Sequence, residues 1–87
     1  MPRYHFHHAD GSREIDEEGL ELVDDEAARR MAAVYAGEVL ASEPEAIWAK
    51  GSRRVEVTND SNALLFTVIT MAIEAPRPRR RSRQSLR

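Results

Sequence analysis

The chain has 87 residues and no cysteine. That absence excludes a disulfide framework, thiolate zinc sites, iron–sulfur clusters and a cysteine nucleophile. No stretch approaches the ~18 consecutive apolar residues that a membrane-spanning helix needs. The opening MPRYHFHHADG lacks the apolar segment of a secretory leader, so a small cytoplasmic protein is the expectation. Aromatic residues make up only 6% of the chain, with one tryptophan, Trp48. Motifs of catalysis are missing too. There is no GxGxxG, P-loop or HExxH. Ser12, Ser42, Ser52, Ser61, Ser82 and Ser85 lie in expected turns, caps or the C-terminal segment, with no GxSxG elbow. A single-helix, one-sheet domain of this length leaves little room for a pocket of several hundred Å3, so no enzyme and no cofactor are expected.

What is present is 41% hydrophobic and 32% charged residues, ordinary for one globular domain. The net charge of -2 hides an asymmetry. Residues 1–75 hold all 15 acids against seven bases, a net of -8, whereas residues 76–87 hold six arginines and no acid. The organisation expected is therefore a compact acidic domain over 1–75 and a disordered basic tail over 76–87.

Asp24 to Ser42 reads as the main helix. Ala28, Met31, Ala32, Tyr35, Ala36 and Val39 recur at helical spacing and form one narrow apolar stripe. Asp24 is the expected N-cap, and Pro44 ends the helix near Ser42. Such a stripe needs a sheet to lie on. Arg3–Ala9 reads as the first strand, with Tyr4, Phe6 and His8 on one face and Arg3, His5 and His7 on the other. Asp10-Gly11-Ser12 is a turn, followed by a weak extended segment anchored by Ile15, Leu20 and Leu22. Asp16-Glu17-Glu18-Gly19 within it reads as a solvated turn, and Leu20, Leu22 and Val23 as a staple over the first helical turn.

After the helix, Ser42-Glu43-Pro44-Glu45 begins a short second helical turn, closed at Lys50-Gly51, with Trp48 expected to cap the edge of the core. Arg53–Thr58 alternates as a strand, with Val55 and Val57 inward. Asn59–Asn62 is a turn and Ala63–Ile69 the last strand, with Ile73 as its outer limit. The fold class expected is α+β in ββαββ order, a small antiparallel sheet on one main helix. The last strand has too many apolar residues for one covered face. Leu64, Phe66 and Val68 alternate with Leu65, Thr67 and Ile69, then Met71, so Leu65, Ile69 and Met71 are candidates for a homodimer interface.

The opening PRYHFHHADG, the DEEGLEL at 16–22 and the Asp24-led Ala/Arg-rich helix together resemble a family of small bacterial proteins of unknown function. Members open with a PRYYFH-type strand and a DG turn, carry an acidic D-E-x-G-x-E-L stretch, and close on an R-x-I/V-E-V-T-D-E-type hairpin. Here that hairpin is Arg53-Arg54-Val55-Glu56-Val57-Thr58-Asn59-Asp60. The resemblance covers roughly residues 2–70 and implies the fold without a mechanism. The chain departs from it at Ile69-Thr70-Met71, where relatives turn at a proline, and at His8, where an aliphatic residue is usual. The arginine tail is an appendage beyond it.

Three clusters are candidate sites. His5 and His7 project from one strand face about 7 Å apart, a feasible pair for Zn²⁺, Ni²⁺ or Cu²⁺, though the expected state is an exposed strand face with no metal. The acidic run Asp16, Glu17, Glu18, Glu21, Asp24, Asp25, Glu26 lacks EF-hand spacing. Arg77, Arg79, Arg80, Arg81, Arg83 and Arg87 could bind nucleic-acid phosphates without sequence preference. The expected function is a non-enzymatic module acting through protein–protein contact or homodimerisation. A nucleic-acid accessory role through the tail is the alternative.

Overall fold

A computed structural model describes residues 1–10 and 13–76. Its elements run β1 (Arg3–Ala9), β2 (Arg13–Glu14), β3 (Leu20–Glu21), α1 (Asp25–Ser42), α2 (Pro44–Lys50), β4 (Ser52–Asn59) and β5 (Leu64–Met71). The architecture is α+β. One antiparallel sheet has the order β2-β1-β4-β5, and β3 also pairs with β1. The expected second strand is thus split in two. β2 pairs with the C-terminal end of β1 (His8 opposite Glu14), and β3 with its N-terminal end (Tyr4 opposite Leu20). No helix among the described residues is long and apolar enough to cross a membrane.

Helix α1 forms where its chemistry requires. Asp24 sits in extended backbone and its carboxylate accepts the Ala27 N–H at 2.9 Å, satisfying a free first-turn amide. Asp25 and Glu26 follow in the first turn, on the positive end of the dipole. α2 starts at Pro44 and ends on Gly51, whose φ of 87° is one that other residues seldom adopt.

The core lies between α1 and one sheet face. Tyr4, Phe6, Val55 and Val57 are buried from the sheet, Ala28 and Ala32 from the helix, with Met31, Tyr35, Ala36, Leu22, Phe66 and Val68 packed around them. The alanines let the helix approach closely, and Tyr35 meets Phe6 edge-to-face at 5.1 Å. The Tyr4 hydroxyl donates to Asp25 Oδ1 at 2.6 Å, tying β1 to the first turn of α1. That bond to a carboxylate, together with burial, pushes the Tyr4 phenol up to about 12.

Three packing expectations need correction. Trp48 does not cap the core but is 57% exposed, because only Ile47 on the short α2 turns inward. Val23 is 67% exposed, so no staple forms there, and Leu22 alone packs on the core. The third lies in β5, where the register shifts opposite Val57 and Thr58. Phe66 faces Val57, yet Leu64 rather than Leu65 faces Thr58. This irregularity moves Leu64 to the sheet face away from the helix and turns Leu65 against the core.

Candidate functional site

The sheet face opposite α1 carries His5 and His7 on β1, Arg54, Glu56 and Thr58 on β4, and Leu64, Thr67, Ile69 and Met71 on β5, as the cross-strand partners dictate. Its two halves differ sharply.

Over β1 the face is covered. Residues 15–19, of which Asp16-Glu17-Glu18-Gly19 was expected as a solvated turn, fold down onto the two histidines. Asp16 organises this cover. One carboxylate oxygen accepts the Phe6 N–H at 3.0 Å, and the other accepts the N–H groups of Glu18 and Gly19 at 3.2 and 3.0 Å. Burial pushes the Asp16 carboxyl up, but these three donors outweigh it and hold it below the usual carboxylate range. Gly19 is required by the same geometry. Its φ is 77°, and a Cβ there would stand 2.9 Å from the Tyr4 carbonyl oxygen, from Arg3 Cγ and from His5 Cε1.

The histidines are consequently not an exposed pair. His7 is buried at 5% exposure. Its Nδ1 accepts the Asp16 N–H at 3.0 Å, so its proton is on Nε2, which donates to Thr58 Oγ1 at 3.0 Å. Burial, followed by the field of Arg13, lowers its pKa and keeps the ring neutral. His5 stands parallel to it, centroids 6.3 Å apart, with the opposite surroundings. Its Nδ1 faces the Asp16 carbonyl oxygen and its Nε2 faces Asp60 Oδ1, both at 3.0 Å. The bond to Asp60 raises its pKa, burial lowers it in part, and the Asp16 carbonyl raises it again. Asp60 comes from the β4–β5 turn, where Asn59 Oδ1 accepts from the Ser61 and Ala63 amides and Asn62 takes a φ of 63°. Together these residues line a groove of about 260 Å3.

All four imidazole nitrogens are thus within hydrogen-bond reach of protein atoms. No group of three or more His, Asp or Glu positioned to hold a metal occurs among the described residues. An acidic Asp-x-x-Gly, Asp16 to Gly19, was the signal in the sequence for the cover. An Asp whose side chain bonds two and three residues ahead needs a glycine to close the turn.

Over β5 the face is bare. Leu64, Ile69 and Met71 are 60%, 59% and 64% exposed, and Ile73 just beyond is 78% exposed. Of the three interface candidates, Ile69 and Met71 lie here, while Leu65 is turned away by the register shift. Beside the end of β5 an apolar groove of about 420 Å3 runs between Leu40, Pro44, Ile47 and Trp48 on the helices and Met71 and Ile73. The expectation of little room for a pocket of several hundred Å3 is thus not met here, because the two helices and the end of β5 leave a groove between them. A polar groove of about 310 Å3 lies at the other end of β1, between His8, Asp10, Arg13, Glu14 and Arg53, where Asp10 and Glu43 flank the Arg53 guanidinium at 3.4 and 3.6 Å. Arg77, Arg79, Arg80, Arg81, Arg83 and Arg87 lie outside the described residues.

Neither a search of curated proteins nor one of solved structures found a match. A comparison with protein families matches residues 3–72 to a domain of unknown function, DUF6894. That span takes in every strand and both helices, from β1 through β5. The chain belongs to the DUF6894 family.

Proposed function

We propose that this domain is a non-catalytic protein–protein contact module whose edge strand β5 pairs with β5 of a second copy. The observation that carries the reading is the character of that edge. β5 is the last strand of the sheet order, eight residues long, and an edge strand keeps one row of backbone N–H and C=O groups unpaired. Natural edges are blunted with lysine, proline or inward-pointing charge. Residues 61–73 contain neither a charge nor a proline.

A second copy suits this edge better than an unrelated chain. An antiparallel β5–β5 pairing about a two-fold axis is self-complementary, so Leu64, Ile69 and Met71 of each copy line one continuous apolar strip. The strip lies on the face that α1 leaves uncovered. Pairing would extend the sheet without disturbing the core.

Sedimentation equilibrium over the micromolar range tests the reading. The expected result is a dimer that Ile69→Lys and Met71→Lys convert to a folded monomer, since a lysine on the paired face sets like charges together across the two-fold axis. A monomer at all concentrations for the unaltered chain would refute it.

A further inference from the structure

We infer that His5 is a proton-operated clasp: as an imidazolium its ring ties the 15–19 segment to the β4–β5 turn, and as a neutral imidazole it can hold only one of them. The Asp16 carbonyl and the Asp60 carboxylate both only accept, and each lies 3.0 Å from a different nitrogen of the same ring. A neutral imidazole has one N–H and one lone pair. Losing the proton turns one contact into an oxygen facing a lone pair, and that contact must open.

The surroundings favour this state at His5 and the opposite one at its neighbour. Asp16, Glu17 and Glu18 come from the covering segment, Asp60 from the turn, and Glu21 from β3 with Arg3 of β1 paired to it at 3.1 Å. Arg3 Nη1 also donates to the Glu18 carbonyl, which keeps its charge directed along the segment. On the β4 side Glu56 is engaged by Arg13 and Arg54 at 3.0 and 3.4 Å. His7, stacked on His5, gives its Nδ1 lone pair to the Asp16 amide, a contact only the neutral ring can make, so a second proton on the pair is directed to His5. One ring senses protons and the other supplies a fixed platform beside it.

The two segments joined by His5 are 44 residues apart in sequence, Asp16 and Asp60, and the ring bonds both. The clasp is independent of the proposed dimer and acts within one chain.

Long-range ¹H–¹⁵N spectra of the histidine rings test it, recorded through a pH titration of the full chain at a concentration where it is monomeric. Near pH 6 both His5 nitrogens should carry protons while His7 shows a single Nε2 proton. His5 should then titrate above the ordinary 6.5. As it loses its proton, amide protection factors in the segment the ring releases, residues 16–19 or residues 61–63, should drop about fivefold, the factor that one net hydrogen bond is worth. The variant Asp60→Asn, altered on an exposed turn, should move the His5 midpoint down toward 6.5. A His5 that titrates at or below 6.5, that has one bare nitrogen near pH 6, or that ignores Asp60→Asn would overturn the inference.

Discussion

Replacing Gly19 with alanine is the sharpest single test of how residues 13–21 are held. A left-handed backbone costs a non-glycine residue about 1–2 kcal/mol. At φ 77° Gly19 is in that region, and the added Cβ would also stand 2.9 Å from the Tyr4 carbonyl oxygen. Arg3 Cγ can swing away, but the Tyr4 backbone is fixed between Leu20 and Asn59. Overpacking of this kind costs a further ~1–3 kcal/mol. A loss of about 2–5 kcal/mol is a large share of the roughly 4–13 kcal/mol by which a domain of 87 residues is stable. With roughly 4–8 °C of Tm per kcal/mol for a domain of this size, the melt should fall by at least ~8 °C. Gly37 supplies the internal control. It lies in α1 with nothing within 4 Å of an added Cβ, so Gly37→Ala should stabilise by about 0.5–1 kcal/mol. The assay is thermal unfolding by circular dichroism for both variants. If Gly19→Ala melts within a degree or two of the unaltered chain, the close packing of the segment on β1 is refuted.

Asp16→Ala leaves three backbone N–H groups without their acceptor, and a loss of about 2–4 kcal/mol in urea denaturation is expected; Asp16→Asn, with one accepting oxygen in place of two, should restore only part of it. The two stacked histidines make stability fall on both sides of neutrality. His5, raised above 6.5, contributes stability fully present below pH 6.5 and lost as pH rises through its folded value. His7, lowered, contributes stability present above 6.5 and lost as pH falls through its folded value, so the urea midpoint should peak near pH 6.5. In an alkaline near-ultraviolet titration one tyrosine should ionise at about 12, and Asp25→Asn should bring Tyr4 back toward 10.0.

Much of the fold was legible because it rests on local rules. Alternation placed β1 at Arg3–Ala9, the Asp24 cap and Pro44 bounded α1, and Pro44 with Gly51 bracketed α2. Tyr4 and Phe6 faced the helix as their period required. What escaped the reading was non-local. Whether His5 and His7 were bare depended on nine residues of weak pattern folding back, which the acidic run disguised as a solvated turn. The exchange of Leu64 for Leu65 on the open face came from a register shift against β4, and no periodicity within β5 encodes it. Trp48 does not cap the edge of the core, because α2 is too short to bury both Ile47 and its neighbour.

The proposal that β5 is a contact edge is tested most directly at the backbone of β5 itself. Amide hydrogen exchange of residues 64–71 should be followed at concentrations below and above the self-association range. The account predicts that alternate amides of β5, those pointing away from β4, gain protection as concentration rises while β1 amides do not change. Exchange along β5 that is the same at every concentration would contradict it.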